Sequence, residues 1–282
     1  GMAMRVLWAA VVPGALALVA PSRGVLRAVS AQSIQRMASS NAGVPDIRME
    51  EGDGIGGRGV TLTPSGGHDG VVIWMHGLGD TAMGWYQALW GLAPRMKIVL
   101  PTAETRPITL NGGMSMPGWF DIVGLDSSAP EDAEGMAESS ARVRRIMEKE
   151  MEEGGLGPEA VIIGGFSQGG AVALHTALRA DVQLGGCVAA STWLPLREEY
   201  PGALGSAAQD LRVLFCHGTE DPVVRPSWGR GSHDFLIENL GIANVSWREY
   251  EGMPHSACED ELEDIRKFLL AGAKAESDSK GK

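Results

Sequence analysis

Residues 165–169 read Gly-Phe-Ser-Gln-Gly and place a single serine, Ser167, between two glycines. This G-x-S-x-G pattern is typical of a serine nucleophile on a tight turn between a strand and a helix, where small flanking residues leave room for the crossing backbone. The pattern alone is weak evidence, because 39 of the 282 residues are glycine. An ordinary serine in a glycine-rich loop is the alternative, unless an acid and a histidine follow in the order that a hydrolase requires.

An acid and a histidine do follow Ser167. Asp221 comes directly after a predicted strand, where Pro222 restricts its backbone, and Glu220 is the fallback acid. His255 lies in the loop after the last predicted strand and is the one histidine of six that combines this position with the right order. The others precede the serine, lie in helical segments or precede the acid: His68, His76, His175, His217 and His233. In such a set the carboxylate orients the imidazole, which takes the serine proton.

Acyl transfer through a serine also needs two N–H groups that bind the negative oxygen of the intermediate. One is predicted to be the backbone N–H of Gln168, the residue after the nucleophile, and we expect its side chain to play no part. The other is predicted at Leu78 in the loop 76–81, "HGLGDT", whose glycines let the backbone approach the site. This loop lacks both common phosphate-binding glycine patterns, so a nucleotide site is rejected.

The elements that must hold these residues alternate along the chain. A helix is predicted at 133–153, a second directly after Ser167, and a third that begins at an S-x-x-E capping box formed by Ser256 and Glu259. Apolar runs predict strands at 59–63, 70–77, from 97, and at 160–166, 185–191, 211–218 and 245–252. This alternation predicts an α/β fold with a mostly parallel central sheet and helices on both faces. The candidate residues would then lie at the carboxyl ends of strands, where such sheets bind ligands.

Residues 101–133 are predicted to form a long irregular connection. Loops of this length are usually functional or disordered, and the apolar side chains here argue against disorder. The segment is therefore interpreted either as part of a binding site or as a cover over an edge of the core.

Charge and composition exclude some partners. The net charge is −11 and the pI is about 5.0, which argues against a nucleic-acid partner. Residues 1–45 differ from the rest because they contain four arginines and no acid. Three interpretations of this extension stay open: a secretory signal peptide, a mitochondrial transit peptide, or a leader before a start at Met37. We predict a hydrolase domain at 46–272 and a polar tail at 273–282.

Three cysteines without metal-ligand spacing are interpreted as free thiols, which favours a reducing compartment. We expect no metal and no organic cofactor. The hydrolase domain is expected in the cytoplasm. The alternative left open is that the extension directs it to the secretory pathway or the mitochondrion.

Six motifs together make the sequence resemble a known family. They are "HGLGD" at 76–80, "MPGWFD" at 116–121, "GGFSQGGA" at 164–171, "WLPL" at 193–196, "CHGTEDPVV" at 216–224 and "EGMPHSACEDEL" at 251–262. In these motifs the chain resembles the acyl-protein thioesterases, or lysophospholipase-like carboxylesterases, of the α/β-hydrolase superfamily. The resemblance extends from about residue 70 to about residue 269.

The resemblance implies the same triad, Ser167, Asp221 and His255, with Leu78 and Gln168 at the oxyanion-hole positions. It also implies an acyl channel shaped by Leu78, Met114, Met116 and Trp119. The expected substrates are S-acylated proteins, palmitoyl-cysteine above all, and lysophospholipids. We further expect transient contact with a membrane surface and a monomer or weak homodimer. Two alternatives stay open: a general short-chain carboxylesterase, and a catalytically inactive protein that binds acylated partners.

Overall fold

The structure is a computed structural model that describes residues 46–124 and 129–279, with residues 272–279 described by their backbone alone. The predicted N-terminal extension, residues 1–45, lies outside the described residues, as does the end of the predicted tail, residues 280–282.

Eight strands of the described chain form one sheet in the order β1-β2-β4-β3-β7-β8-β9-β10. Their bounds are β1 Ile47–Glu51, β2 Gly59–Pro64, β3 Gly70–Met75, β4 Met96–Pro101, β7 Val161–Phe166, β8 Gly186–Ala190, β9 Val213–Gly218 and β10 Val245–Tyr250. The neighbouring strands from β4 to β10 are all parallel, whereas β2 is antiparallel to both of its neighbours. The predicted mostly parallel central sheet is confirmed.

Helices cover both faces of this sheet. The described helices are α1 Ala82–Leu89, α2 Ala133–Gly154, α3 Gln168–Leu178, α4 Pro226–Glu238 and α5 Glu259–Ser279. Side chains of β3 alternate between the faces, since Ile73 packs with residues of α2 and α3, while Trp74 packs with residues of α1 and α5. Every residue of β3 is buried, as expected of a central strand covered on both sides.

The segment that the sequence predicted to be irregular contains a small hairpin. Strands β5 Thr105–Ile108 and β6 Met114–Pro117 pair antiparallel, and a short turn ending in Gly112 and Gly113 connects them. Both glycines have positive φ, which they adopt without a steric cost. The hairpin was missed because Pro107 argues against a strand, although proline is tolerated where the ladder has an edge.

Helix α2 has capping residues at both ends, whereas the start of α5 differs from the sequence prediction. Helix α2 follows Asp132, whose side chain accepts a hydrogen bond from the N–H of Gly135. It ends at Gly154, and the next residue, Gly155, has the left-handed conformation typical of a helix C-terminus. The predicted capping box of α5 is wrong, because this helix begins at Glu259. Ser256 lies in the preceding turn instead, where its N–H donates to the carbonyl of Pro254 at 2.7 Å.

Within residues 46–124 and 129–279, no helix combines the length and the apolar character needed to cross a membrane.

Candidate active site

Ser167 lies on a strained turn between β7 and α3. Its φ is 55° and its ψ is −121°, values that cost a residue with a side chain about 1–3 kcal/mol. The flanking glycines make the turn sterically accessible. A Cβ on Gly165 would lie 2.5 Å from the carbonyl carbon of Gly169, and a Cβ on Gly169 would lie 2.4 Å from the carbonyl oxygen of Met75. The G-x-S-x-G pattern is therefore required by the close crossing of β3, β7 and α3.

The three residues predicted as a triad are brought together. Nε2 of His255 lies 2.9 Å from Oγ of Ser167, and Nδ1 of His255 lies 2.7 Å from Oδ2 of Asp221. Because a carboxylate only accepts hydrogen bonds, Nδ1 of His255 carries the proton and Nε2 is free to accept the hydroxyl proton. The imidazole also packs on the ring of Phe166, with 4.6 Å between the ring centroids.

Asp221, and not Glu220, is the acid whose carboxylate bonds the imidazole of His255. The Asp221 side chain is fully buried, and its Oδ1 accepts the N–H groups of Val223 and Val224 at 2.9 and 3.0 Å. Glu220 is exposed at the surface. Its backbone N–H donates to the carbonyl of Met253, and this bond ties the acid loop to the histidine loop.

The same two loops also pack closely at Gly218, the last residue of β9. A Cβ on Gly218 would lie 2.0 Å from the carbonyl oxygen of Met253, so the approach requires glycine. Behind the acid, Nε2 of the buried His217 donates to the carbonyl of Val224 at 2.9 Å and lies 3.6 Å from Oδ2 of Asp221. Burial lowers the pKa of His217, so this imidazole supports the loop in its neutral form.

The predicted oxyanion donors, Leu78 and Gln168, both lie near Ser167, since Gln168 is the next residue and Leu78 belongs to a neighbouring turn. Leu78 occupies a turn in which the N–H of Asp80 donates to the carbonyl of Gly77, and Gly79 has a φ of 77°. A Cβ on Gly77 would lie 3.4 Å from Cβ of Ser167, which places this turn beside the serine. Among the described residues, neither the N–H of Leu78 nor that of Gln168 donates to another group.

The buried His76 fixes the start of the Leu78 loop. Its Nδ1 donates to the carbonyl of Gly77 at 2.6 Å, and its Nε2 accepts the N–H of Ala103 at 3.0 Å. Burial lowers the pKa of His76 to about 4, so the ring stays neutral and keeps one donor and one acceptor. Since both ring nitrogens are engaged in hydrogen bonds to the backbone, His76 supports the structure of the Leu78 loop.

The residues predicted to line an acyl channel differ in their exposure to solvent. Met114 is 62 % exposed at the start of β6, and Met116 is half-buried on the same strand. Leu78 is also half-buried, and its Cδ1 would lie 3.1 Å from a Cβ on Gly118. Trp119 has only 1 % of its surface exposed and packs into the core. Trp119 therefore cannot contact an acyl chain in this conformation, whereas the other three remain candidates.

Two buried polar side chains were missed by the sequence analysis. The side chain of Gln168 bonds the backbone of Trp119 and Phe120. Glu261 in the first turn of α5 is fully buried, and the backbone N–H of Cys258 is the polar group beside its carboxyl. Burial raises the pKa of Glu261 to about 8, and the negative charge of Asp221 contributes to the same effect. The burial of Glu261 could have been predicted from the sequence, because it lies four residues before Ile265 on the apolar side of the helix.

Comparison with known proteins agrees with this geometry. A family model described as Phospholipase/Carboxylesterase matches residues 59–271, which include the serine, the acid and the histidine. The chain belongs to this family.

Three proteins illustrate this similarity, which extends over most of the chain. The acyl-protein thioesterase 1 of Cryptococcus neoformans is 38 % identical over 230 residues, which cover 76 % of this chain and 96 % of the relative. The acyl-protein thioesterase 1 of Yarrowia lipolytica is 37 % identical over 220 residues, with coverages of 74 % and 95 %. The crystal structure of Zea mays acyl-protein thioesterase 2 matches with a TM-score of 0.71 and 33 % identity, over 77 % of this chain and 99 % of that one. The predicted α/β-hydrolase fold is confirmed.

Proposed function

We propose that this protein is a serine hydrolase that cleaves long-chain acyl thioesters, such as S-palmitoyl cysteine in proteins, and also esters of lysophospholipids. The observation that carries the proposal is the continuous relay from Oγ of Ser167 through the imidazole of His255 to Oδ2 of Asp221, with distances of 2.9 and 2.7 Å. The names of the similar proteins, which are acyl-protein thioesterases, support the choice of substrate.

The first chemical step forms an acyl-enzyme. Oγ of Ser167 attacks the carbonyl carbon while Nε2 of His255 takes the hydroxyl proton, and the carbonyl electron pair moves onto the oxygen. When the tetrahedral intermediate collapses, the carbon–sulfur bond breaks and the imidazolium returns its proton to the leaving thiolate. Asp221 holds the imidazole in the required tautomer and stabilises its positive charge.

The second step releases the fatty acid. Water attacks the acyl carbon as His255 takes one of its protons, and the acyl–oxygen bond to Ser167 then breaks as the proton returns to Oγ. Both steps pass through an oxyanion, which the N–H groups of Leu78 and Gln168 would stabilise. One such donor contributes about 3–4 kcal/mol to transition-state binding in hydrolases.

Affinity for the substrate would come mainly from the acyl chain. Each buried CH₂ contributes about 0.8 kcal/mol, so partial burial of a long chain outweighs most polar contacts with the rest of the substrate. Leu78, Met114 and Met116 are the proposed contacts, since they lie on the oxyanion turn and on the adjacent hairpin with part of their surface exposed.

A series of p-nitrophenyl esters from acetate to palmitate tests the substrate class. The proposal expects kcat/KM to rise towards the long chains, whereas activity confined to the short esters would favour a general carboxylesterase. A fluorophosphonate probe tests the enzyme claim against an inactive binder of acylated proteins. It should label the wild type and not Ser167→Ala, and an unlabelled wild type would overturn the enzyme claim.

We also propose that the hydrolase domain acts in the cytoplasm as a monomer or weak homodimer with transient membrane contact, and that residues 1–45 carry targeting information. The unpaired thiols of Cys187 and Cys216 support a reducing compartment. Imaging the full chain beside a variant that begins at Met37 tests the targeting proposal, which predicts different distributions for the two.

A further inference from the structure

The side chain of Gln168 is bonded at both ends of its amide. Its Oε1 accepts the N–H of Trp119 at 2.9 Å, and its Nε2 donates to the carbonyl of Phe120 at 2.7 Å. The residue has no exposed surface, so water cannot replace either bond. The residue after the nucleophile thus holds residues 119–120 through its side chain, while its backbone N–H has no acceptor among the described residues.

The residues held by Gln168 also bond the turn that carries Leu78, the other predicted oxyanion donor. The indole Nε1 of Trp119 donates to the carbonyl of His76 at 2.9 Å, and the carbonyl of Pro117 accepts the N–H of Gly79 at 2.7 Å. These two bonds bracket Leu78 in the sequence. The segment 117–120, which we name the bridge segment, therefore bonds the Leu78 turn at two points and Gln168 at two points.

The bridge segment is itself firmly placed. Ser139 on α2 donates to the carbonyl of Trp119, and the Trp119 side chain is packed in the core. A hydrogen-bonded element between two loops fixes their separation better than packing alone, because each bond has a narrow range of lengths and angles. The bridge segment is thus suited to set the distance between the donors of Leu78 and Gln168.

We propose that the Gln168 side chain is a positioning group that sets the separation of the two oxyanion N–H donors through the bridge segment. The inference rests on the proposed function, since it concerns the oxyanion hole of the same reaction. Oxyanion donors act by being held in place before charge develops, and displacements of about 0.5 Å are enough to weaken them. The loss of this support should affect the transition state more than substrate binding.

The matched variants are Gln168→Met, Gln168→Glu and, as a control, Gln183→Met. Methionine has a similar length to glutamine but makes neither hydrogen bond, and it leaves the backbone N–H in place. Glutamic acid in its protonated form can accept from Trp119 and donate to Phe120 as glutamine does, but its ionised form cannot donate. Gln183 lies at the surface, bonded to the carbonyls of Leu184 and Asp210, far from the bridge segment in sequence.

The experiment measures kcat and KM on p-nitrophenyl acetate and palmitate, together with the Ki of a trifluoromethyl ketone that forms a tetrahedral adduct. For Gln168→Met we expect kcat to fall about 10–100-fold on both esters with KM within a factor of about two, and Ki to rise in parallel. For Gln168→Glu we expect activity relative to wild type to fall as pH rises and the new carboxyl ionises. Gln183→Met should match wild type.

The inference would be overturned if Gln168→Met keeps its kcat, or if only KM rises. It would also be overturned if Gln168→Glu, at the lowest pH tested, loses as much activity as Gln168→Met, because the protonated carboxyl there can make both hydrogen bonds. Wild-type turnover of the esters reports on the proposed function, while the ratio of variant to wild type reports on Gln168. A wild type inactive on every ester would overturn both.

Discussion

Oγ of Ser167 lies 2.9 Å from Nε2 of His255, although the two residues are 88 positions apart in the chain. Ser167 follows β7 and His255 follows β10, and β8 and β9 lie between these strands in the sheet. The loop after β10 must therefore cross the carboxyl ends of two strands to reach the serine. Bonds from the intervening loop after β9, such as that from the N–H of Glu220 to the carbonyl of Met253, hold it there.

Asp221→Asn should leave the fold intact and lower kcat about 10⁴-fold. An asparagine can present its NH₂ group to Nδ1 of His255, which favours the wrong tautomer and removes the charge that stabilises the imidazolium. The measurement is steady-state hydrolysis of an activated ester, with circular dichroism to check folding. Glu220→Gln is the matched control, since it removes the adjacent exposed carboxylate, and it should retain wild-type activity. Comparable losses in both variants would contradict the assignment of the acid.

Gly169→Ala should abolish activity and destabilise the protein strongly. The added Cβ would lie 2.4 Å from the carbonyl oxygen of Met75 and 2.5 Å from that of His76, so α3 would have to move away from β3. Thermal unfolding and fluorophosphonate labelling measure the two effects. Gly231→Ala in α4 is the control because its Cβ meets nothing within 4 Å. This control should be active and more stable by about 0.5–1 kcal/mol, and an active, stable Gly169→Ala would refute the close crossing.

Glu261→Gln should change how stability depends on pH. The pKa of Glu261 is raised by burial to about 8 in the folded protein, against an ordinary value of 4.5. Below pH 4.5 both states are protonated; between 4.5 and 8 only the unfolded state loses its proton, so stability falls as pH rises. With about 1.4 kcal/mol for each pKa unit, the loss is on the order of a few kcal/mol.

Denaturant unfolding at pH 5 and pH 8 checks this prediction. The wild type should lose more stability than Glu261→Gln between the two pH values. Glu259→Gln removes an exposed carboxylate two residues earlier on the same helix and should behave as the wild type does. Equal pH dependence in Glu261→Gln and the wild type would show that Glu261 is ionised in the folded protein.

The sequence was sufficient to predict the features that depend on order along the chain. Alternating strands and helices predicted the parallel sheet. The positions of Ser167, Asp221 and His255 after the carboxyl ends of three different strands predicted that they would meet. The sequence could not predict features that depend on which loops touch. The contacts of the Gln168 side chain and the burial of Trp119 depend on the bridge segment, which packs between the Leu78 turn and Gln168.

Local patterns were also overruled by tertiary contacts. The S-x-x-E pattern at Ser256 is a common helix start, but the chain there forms a turn around His255. The helix begins at Glu259, two residues later than a cap at Ser256 predicts. Pro107 in β5 is a second example. Proline is excluded from central strands but tolerated in edge strands, so its presence did not prevent the hairpin.

The most direct test of the central claim is hydrolysis of an S-palmitoyl-cysteine peptide, with mass spectrometry of the enzyme during turnover. We expect the wild type to release palmitate and free thiol, and to carry a transient palmitoyl group on the peptide that contains Ser167. Ser167→Ala should do neither while folding normally. Thioester cleavage by Ser167→Ala at the wild-type rate, or an acyl group trapped on another residue, would contradict the account.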